Sequence, residues 1–314
     1  MRVLITGAGG QVGLELIPYL RARGAEVVAS DVAPRPKACA DDVPWEPLDV
    51  TDARNVHDVF ERARPDVVIH LAAILSARGE SIPHVAYAVN QTGTYHALEA
   101  CRELGVRKFI FTSTIAAFGP GLPDPVPNEV SMRPTTMYGI TKVAGELLGE
   151  YYRHKWGLDF RGVRFPGLIN AGVPGGGTSD YSLHMYTSGM KHGRYEAFCH
   201  ADTRIPLMYM PDAIRALVDL ADAPRERLKR SIYNIAAMSP TAGEIADSVR
   251  RALPGVELTF RSDPLRQAIL DSWPRALDDS CARAEWDWRH EYDLEAMTAD
   301  MLPKVRAMLE RGLL

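Results

Sequence analysis

Residues 1–13 read MRVLITGAGGQVG, and the fold turns on them. Residues 2–6 are a short apolar run with β-branched members, too short for a helix and suited to a buried parallel strand. Gly7, Gly10 and Gly13 follow, and from about residue 12 to 23 the pattern is that of an amphipathic helix. A strand that ends in glycine and opens into a helix brings bare backbone N–H groups and a positive helix end to one point, which suits a pyrophosphate. Gly7 permits the tight turn, Gly10 lets phosphates approach the main chain beside Gln11 and Val12, and Gly13 lets the helix lie close to the strand. A glycine cluster is weak evidence by itself; its place between a first strand and a helix gives it weight.

Working outward, residues 25–30 (AEVVAS) make a second strand that ends at Asp31. A carboxylate there accepts hydrogen bonds from both adenosine ribose hydroxyls and repels a 2′-phosphate, so NAD is the expected cofactor. The competing reading is a solvated carboxylate opening a loop, and nearby Arg35 and Lys37 leave NADP open. A third strand over 44–48 carries Asp49 and Val50 at its tip, where adenine would lie, and Asp52 caps a helix to about residue 63. Strand 66–71 leads through Leu71 into Ala72 and Ala73, small residues that let the backbone pass beside the cofactor. His70 on that strand reads as a satisfied core residue rather than a catalyst. A long helix is expected over 83–104 and a fifth strand over 108–112. Five βα units in a row imply an α/β fold: a doubly wound, parallel Rossmann sheet with right-handed crossovers. Ligands then sit beyond the carboxyl ends of the strands. Residues 1–165 are the expected dinucleotide-binding domain. Residues 166–314 are expected to be mainly a smaller substrate-binding lobe, with some chain returning to the sheet.

The chemistry falls at the next strand ends. The fifth strand runs into Ser113 and Thr114, and after a proline-punctuated loop Tyr138 and Lys142 stand one turn apart on one face of a helix that runs to about 156. A free phenol has a pKa of about 10, too high for a base at neutral pH. Lowering it by about three units requires roughly 4 kcal/mol. One ammonium at about 4 Å supplies on the order of 4 kcal/mol at an effective dielectric of about 20. Lys142 is therefore expected to tune Tyr138 as general base for an alcohol proton, helped by the cation of oxidised nicotinamide. Thr114 would hold the substrate oxygen, with Ser113 as the alternative. A Tyr-x-x-x-Lys pair also occurs on ordinary half-exposed helix turns; here it follows a dinucleotide fold and a hydroxyl-bearing strand end.

The 314-residue chain is 46% hydrophobic with a formal net charge of −4. Its basic residues are scattered rather than striped, so nucleic acid is not an expected partner. Cys39, Cys101, Cys199 and Cys281 have neither metal-site nor redox-motif spacing. That points to reduced thiols, a cytoplasmic setting and no bound metal. No apolar run approaches the ~20 residues of a membrane span, and with a first strand at residue 2 no targeting segment is expected.

The glycine loop, Asp31, the HLAA run at 70–73, NQTGT at 90–94, Ser113-Thr114 and the Tyr138/Lys142 pair together resemble the extended short-chain dehydrogenase/reductase family over nearly the whole chain. The resemblance implies that Asn90 supports the active-site helix and that Lys142 also holds the nicotinamide ribose. It also implies that RFPGLI at 164–169, with Phe165, Gly167 and Leu168, lies beside the nicotinamide carboxamide. Within that family the second half resembles one branch, the short-chain type of L-threonine 3-dehydrogenase. The stretches are GVPGGGTSDY at 172–181, DTRIPLMYMPD at 202–212, YNIAAM at 233–238 and DSWP at 271–274. In that branch a GGGTTDY loop covers a small amino-acid site. Ser179 here replaces its second threonine and Thr141 stands where YGISK is usual; both keep a hydroxyl.

By this likeness Ser76, Thr178 and Trp273 are substrate contacts. The implied reaction is NAD-dependent oxidation of L-threonine at its β-hydroxyl to 2-amino-3-ketobutyrate. The three loop glycines can swing as a hinge while Thr178, Ser179 and Asp180 bring hydroxyls and a negative charge to a zwitterion. Asp180 on the substrate ammonium competes with Asp180 as a helix cap, and Trp273 as a lid competes with Trp273 as lobe core. Helices 83–104 and 136–156 resemble the pair through which the family dimerises, so a homodimer is expected. The rival readings are a nucleotide-sugar epimerase or dehydratase and a non-catalytic NAD(P) sensor. Against the first, Gly167 falls close to an asparagine of those relatives; against the second, sensing needs neither Tyr138 nor Lys142. Elsewhere in the lobe a capping box is expected at Thr241/Glu244, Met208 and Met210 read as core, and the charge-rich run 225–230 reads as a solvated face.

Overall fold

The computed structural model describes residues 1–173, 175 and 177–314. Positions 174 and 176, the second of them in the glycine loop expected to hinge, lie outside the described residues. The first half alternates β1 (Arg2–Thr6), α1 (Gln11–Ala22), β2 (Glu26–Asp31), β3 (Trp45–Pro47), α2 (Ala53–Ala63) and β4 (Val67–His70). It continues through α3 (Ser76–Ser81), α4 (Pro83–Tyr87), α5 (Gly93–Leu104), β5 (Lys108–Thr114), α6 (Met137–Trp156) and β6 (Asp159–Phe165). The second half holds β7 (Gly167–Ile169), α7 (Tyr181–His192), β8 (Arg194–Ala197), β9 (Leu207–Tyr209), α8 (Met210–Asp222) and β10 (Ile232–Asn234). It closes with α9 (Ala242–Ala252), β11 (Glu257–Phe260), α10 (Pro264–Asp271), α11 (Ser280–Trp286) and α12 (Leu294–Glu310).

Among the described residues, seven strands form one sheet in the order β10-β6-β5-β4-β1-β2-β3, and all its pairings are parallel. The chain winds one way from β1 to β3 and the other way from β4 to β6, so the crevice for a ligand opens at the carboxyl ends of β1 and β4. Thr6 pairs with His70 there, which sets the glycine loop level with the HLAA run. Strand β10 belongs to the second half yet forms the sheet edge beside β6.

Helices cover both sheet faces, which is why the strands read as unbroken apolar runs. Leu16, Ile17 and Leu20 of α1 pack with Ile214 and Leu217 of α8 and Trp286 of α11 on one face. Val56, Val59 and Phe60 of α2 pack with Leu98 and Cys101 of α5 and Tyr152 of α6 on the other. The lobe has its own core, in which Tyr186, Ile245, Val249, Met297, Met301 and Val305 join α7, α9 and α12. Met208 and Met210 are buried as read. Asp52 caps α2, Thr241 and Glu244 form the capping box of α9, and residues 225–227 make one exposed turn. Among the described residues no helix is long and apolar enough to cross a membrane.

Two expectations need correction. Residues 83–104 are not one regular helix, because α4 and α5 are joined by a π-helical turn at Ala88–Thr92. The extra residue in that turn shifts the helix phase, and Asn90 within it is buried. Strand β5 runs two residues further than read, through Ser113 and Thr114. Successive strand side chains point to opposite faces, so the two hydroxyls cannot serve one site together.

Candidate active site

At Gly7 the backbone φ is +69°, and a Cβ would sit 2.6 Å from the Ala72 nitrogen. Turn and close approach both demand glycine, and the result is that Leu71 and Ala72 lie against the loop. Gly10 caps α1 without a side-chain hydrogen bond, and the first turn has no acidic residue. The leading N–H groups at Gln11, Val12 and Gly13 therefore present a positive helix end to an anion. A Cβ at Gly13 would come within 2.4 Å of the Ala8 carbonyl oxygen, as expected for a helix laid close on its strand. The Asp31 carboxylate accepts N–H groups of Gly9 and Ala33, each at 2.9 Å, and is thereby fixed beside the loop. Arg35 donates to the carbonyls of Asp41 at 2.5 Å and Val43 at 2.6 Å, stapling its own loop rather than facing a 2′-phosphate. Asp49 accepts the N–H and hydroxyl of Thr51, and Val50 packs against Gly93. This cradle fits a dinucleotide.

The catalytic pair rides on α6. Thr136 caps its N-terminus, and the Met137 N–H donates to Glu80 of α3 at 2.7 Å. Tyr138 shares a hydrogen bond with the Thr114 hydroxyl. The Lys142 ammonium is buried and donates to the Thr112 carbonyl at 2.6 Å. It lies 4.9 Å from the centre of the Phe111 ring and 5.7 Å from that of Tyr138. Ser113 points away and donates to Glu146. Of the two candidate hydroxyls, Thr114 is the one brought to the phenol.

Burial pushes the Tyr138 phenol up to about 12, with the Thr114 hydrogen bond pulling it down. Lys142 by itself therefore does not bring the phenol below its ordinary value; the expectation also counted on the cation of oxidised nicotinamide. Burial lowers Lys142 to about 8, opposed by Glu146, so it stays charged at neutral pH.

Asn90 Oδ1 accepts the Ile74 N–H at 2.7 Å, and its Nδ2 donates to the Ile74 carbonyl at 3.0 Å and to Thr141 Oγ1 at 3.2 Å. It thus clips the loop after β4 to α6 beside Lys142. His70 sits between Thr6 Oγ1 at 2.8 Å and Thr94 Oγ1 at 3.2 Å, and burial holds it neutral, down to about 3. It is the core residue it was read to be.

The substrate candidates meet only through the fold. Ser76 Oγ lies 3.2 Å from Thr178 Oγ1 and accepts the Thr178 N–H at 3.4 Å. Gly79, in the same short helix as Ser76, is packed on Tyr138. A Cβ at Gly167 would approach Ser179 to 3.0 Å, so Gly167 of β7 backs onto the loop, while Phe165 and Leu168 pack with the core on the α1–α8 side of the sheet. Asp180 accepts the Gly177 N–H at 3.1 Å, which closes the 3₁₀ turn Thr178–Asp180 that leads into α7. Trp273, read as a lid or as lobe core, is half-buried and packs against the lobe core.

Three features escaped the sequence reading. Gln11 donates its side-chain amide to the Val173 carbonyl, so the phosphate loop touches the glycine-rich loop. Glu80 anchors the start of α6. Glu146 and Arg164 form a buried ion pair at 2.8 Å behind Lys142. Only the last left a signal, a carboxylate one turn beyond Lys142.

The model of a family described as the NAD dependent epimerase/dehydratase family matches residues 3–236. The mitochondrial L-threonine 3-dehydrogenase of Bos taurus is 43% identical over 305 residues, covering 96% of this chain and 82% of the relative. Among solved structures, L-threonine dehydrogenase from Clostridium difficile superposes with a TM-score of 0.94 at 44% identity, covering 99% of this chain and 98% of that one. An L-threonine 3-dehydrogenase from a metagenome, described as monomeric, gives 0.93 at 37% identity, covering 98% and 99%.

Proposed function

The chain belongs to the NAD dependent epimerase/dehydratase family, and from that premise we propose that it oxidises L-threonine at the β-hydroxyl to 2-amino-3-ketobutyrate. The observation that carries the reading is the meeting of Tyr138 with Thr114, with the Lys142 ammonium 5.7 Å from the phenol ring, at the carboxyl edge of the sheet. The likeness to L-threonine dehydrogenases across almost the whole chain supports the choice of substrate.

NAD, when bound on the glycine loop and Asp31, supplies the hydride acceptor and a positive charge near the phenol. The remaining work belongs to the chain. Thr114 holds the substrate β-oxygen, and Tyr138 as phenolate takes its proton, which frees the Cβ hydride to leave. Lys142 stabilises the phenolate and reaches the ribose. Ser76, Thr178 and Ser179 offer hydroxyls to the carboxylate and ammonium, and Asp180 faces the ammonium. The β-carbon is thereby presented in one orientation.

A homodimer is part of the same proposal. Tyr87, Tyr95, Ile140, Leu147 and Tyr151 are large apolar side chains left exposed on α4, α5 and α6. Residues 140, 147 and 151 fall on one stripe at helical spacing, the pattern of a helix seeking a partner.

Steady-state kinetics with L-threonine, L-allo-threonine, L-serine and UDP-glucose, each with NAD and NADP, test the reading. The expected result is NADH formation with L-threonine and NAD. Turnover confined to UDP-glucose, or NAD binding without turnover of any of the four, would overturn it.

A further inference from the structure

Behind the catalytic pair lies a layer of buried charge that the proposed chemistry does not use directly. Glu146 is one helical turn beyond Lys142 on α6 and only 3% exposed. Its Oε1 accepts the Ser113 hydroxyl and Arg164 Nε at 3.0 Å, and its Oε2 accepts Arg164 Nη2 at 2.8 Å. Arg164, on β6 and itself buried, turns Nη1 to the Asn128 carbonyl at 2.7 Å and to Asn234 Oδ1 at 3.1 Å. The Asn234 N–H in turn donates to Asn128 Oδ1 at 2.7 Å. The carboxylate is thus held by donors from β5 and β6, and Arg164 is held from the far side by β10 and the loop before α6.

A buried carboxylate paired in this way contributes little net stability compared with apolar packing, so stability alone does not account for it. The charges nearby point to a role. Lys142 lies beside the Tyr138 ring and the Thr112 carbonyl on β5, with neutral His70 on β4 near it and Glu146, also buried, one turn further along its own helix. Glu146 is the anion of this set, and Arg164 stands behind it as a second cation.

We propose that Glu146, clamped by Arg164 and Ser113, is the positioning residue that keeps Lys142 an ammonium inside the apolar sheet–helix interface. Lys142 is buried deeply enough to lose its proton near pH 8, and Glu146 is the neighbour that opposes the loss. Arg164 orients the carboxylate and offsets part of its field, so Glu146 acts on Lys142 with less than a full charge. The inference rests on the dehydrogenase reading for its consequence, since a neutral Lys142 cannot stabilise the phenolate. The charge state of Lys142 can be measured without any reaction.

The test is a carbon NMR titration of lysine Cε in the folded protein with NAD bound, the Lys142 signal assigned by Lys142→Met. Glu146→Gln should lower the Lys142 midpoint by about one unit or more, the scale set by removing one opposite charge at close range. Glu146→Gln/Arg164→Met, which removes both charges, should fall between that variant and the parent. The alkaline limb of kcat/KM with L-threonine should move down with the NMR midpoint. An unmoved midpoint in Glu146→Gln overturns the proposal, as does a moved midpoint with an unmoved limb. If Glu146→Gln does not fold, the double variant decides: a midpoint no lower than the parent's overturns the proposal. A parent without threonine turnover would sink the dehydrogenase reading and leave the titration to judge Glu146 on its own.

Discussion

Replacing Gly145 with alanine puts the packing argument to its hardest test, because helix propensity and tertiary contact pull in opposite directions. In an exposed helix interior the change stabilises by about 1 kcal/mol. Here an added Cβ would lie 2.5 Å from the tip of the Phe111 ring, about 1 Å closer than carbons tolerate. The ring is 1% exposed, packs on Phe160 at 5.9 Å and lies under the Lys142 ammonium at 4.9 Å. If the ring tilts, Lys142 loses its bed; if it does not, α6 lifts from the sheet by about 1 Å and carries Tyr138 with it. Overpacking costs about 1–3 kcal/mol. Against the propensity gain, the net expectation is a loss of about 0–2 kcal/mol. A misplacement of about 1 Å at reacting groups costs on the order of a hundredfold in rate. Urea unfolding, kcat with L-threonine and NAD binding by fluorescence quenching separate these effects. The expected result is slight destabilisation, a large fall in kcat and near-parent NAD affinity. A more stable Gly145→Ala with parental kcat would refute the claim that this glycine sets the height of the catalytic helix.

The remaining predictions are shorter. Tyr138→Phe should keep NAD affinity within a few-fold and lose about 10²–10⁴ in kcat; near-normal turnover would show that the base is misassigned. Thr114→Ala should lower kcat at least tenfold while Ser113→Ala stays within a few-fold, and the reverse order in the same assay would return Ser113 to the site. His70 takes a proton near 6.5 when unfolded but only near 3 when folded, so stability is lost as pH falls below about 6.5. The slope is about 1.4 kcal/mol per unit, or about 2 kcal/mol by pH 5. Urea unfolding at pH 7 and 5 should show a smaller loss in His70→Asn, and equal losses would exclude His70 as the source. Leu147→Glu should convert a dimer into a monomer by sedimentation velocity; a monomeric parent would dispose of the α4–α6 interface.

Much of the fold was legible before any coordinates. The strand–glycine–helix opening, Asp31 at the end of β2, Asp52 and Thr241 as caps and the one-turn spacing of Tyr138 and Lys142 are local features. Their geometry is set by backbone periodicity and by residues within a few positions, and a single sequence carries that information. So does the inference from repeated βα units to a parallel sheet, because few topologies satisfy right-handed crossovers.

What only the tertiary structure decided are sums over distant neighbours. The pleat of a longer β5 sends Thr114 to the phenol and Ser113 to Glu146, a choice that turns on where the strand ends. Ser76 meets Thr178 across 102 positions of chain. The π turn that carries Asn90, the Glu146–Arg164 pair and the seat of Trp273 in the lobe core depend equally on partners far along the chain. The sharpest case is the phenol itself. Spacing puts a cation one turn from Tyr138, but how far burial opposes that cation depends on every group packed around the ring, and desolvation is a property of the assembled fold.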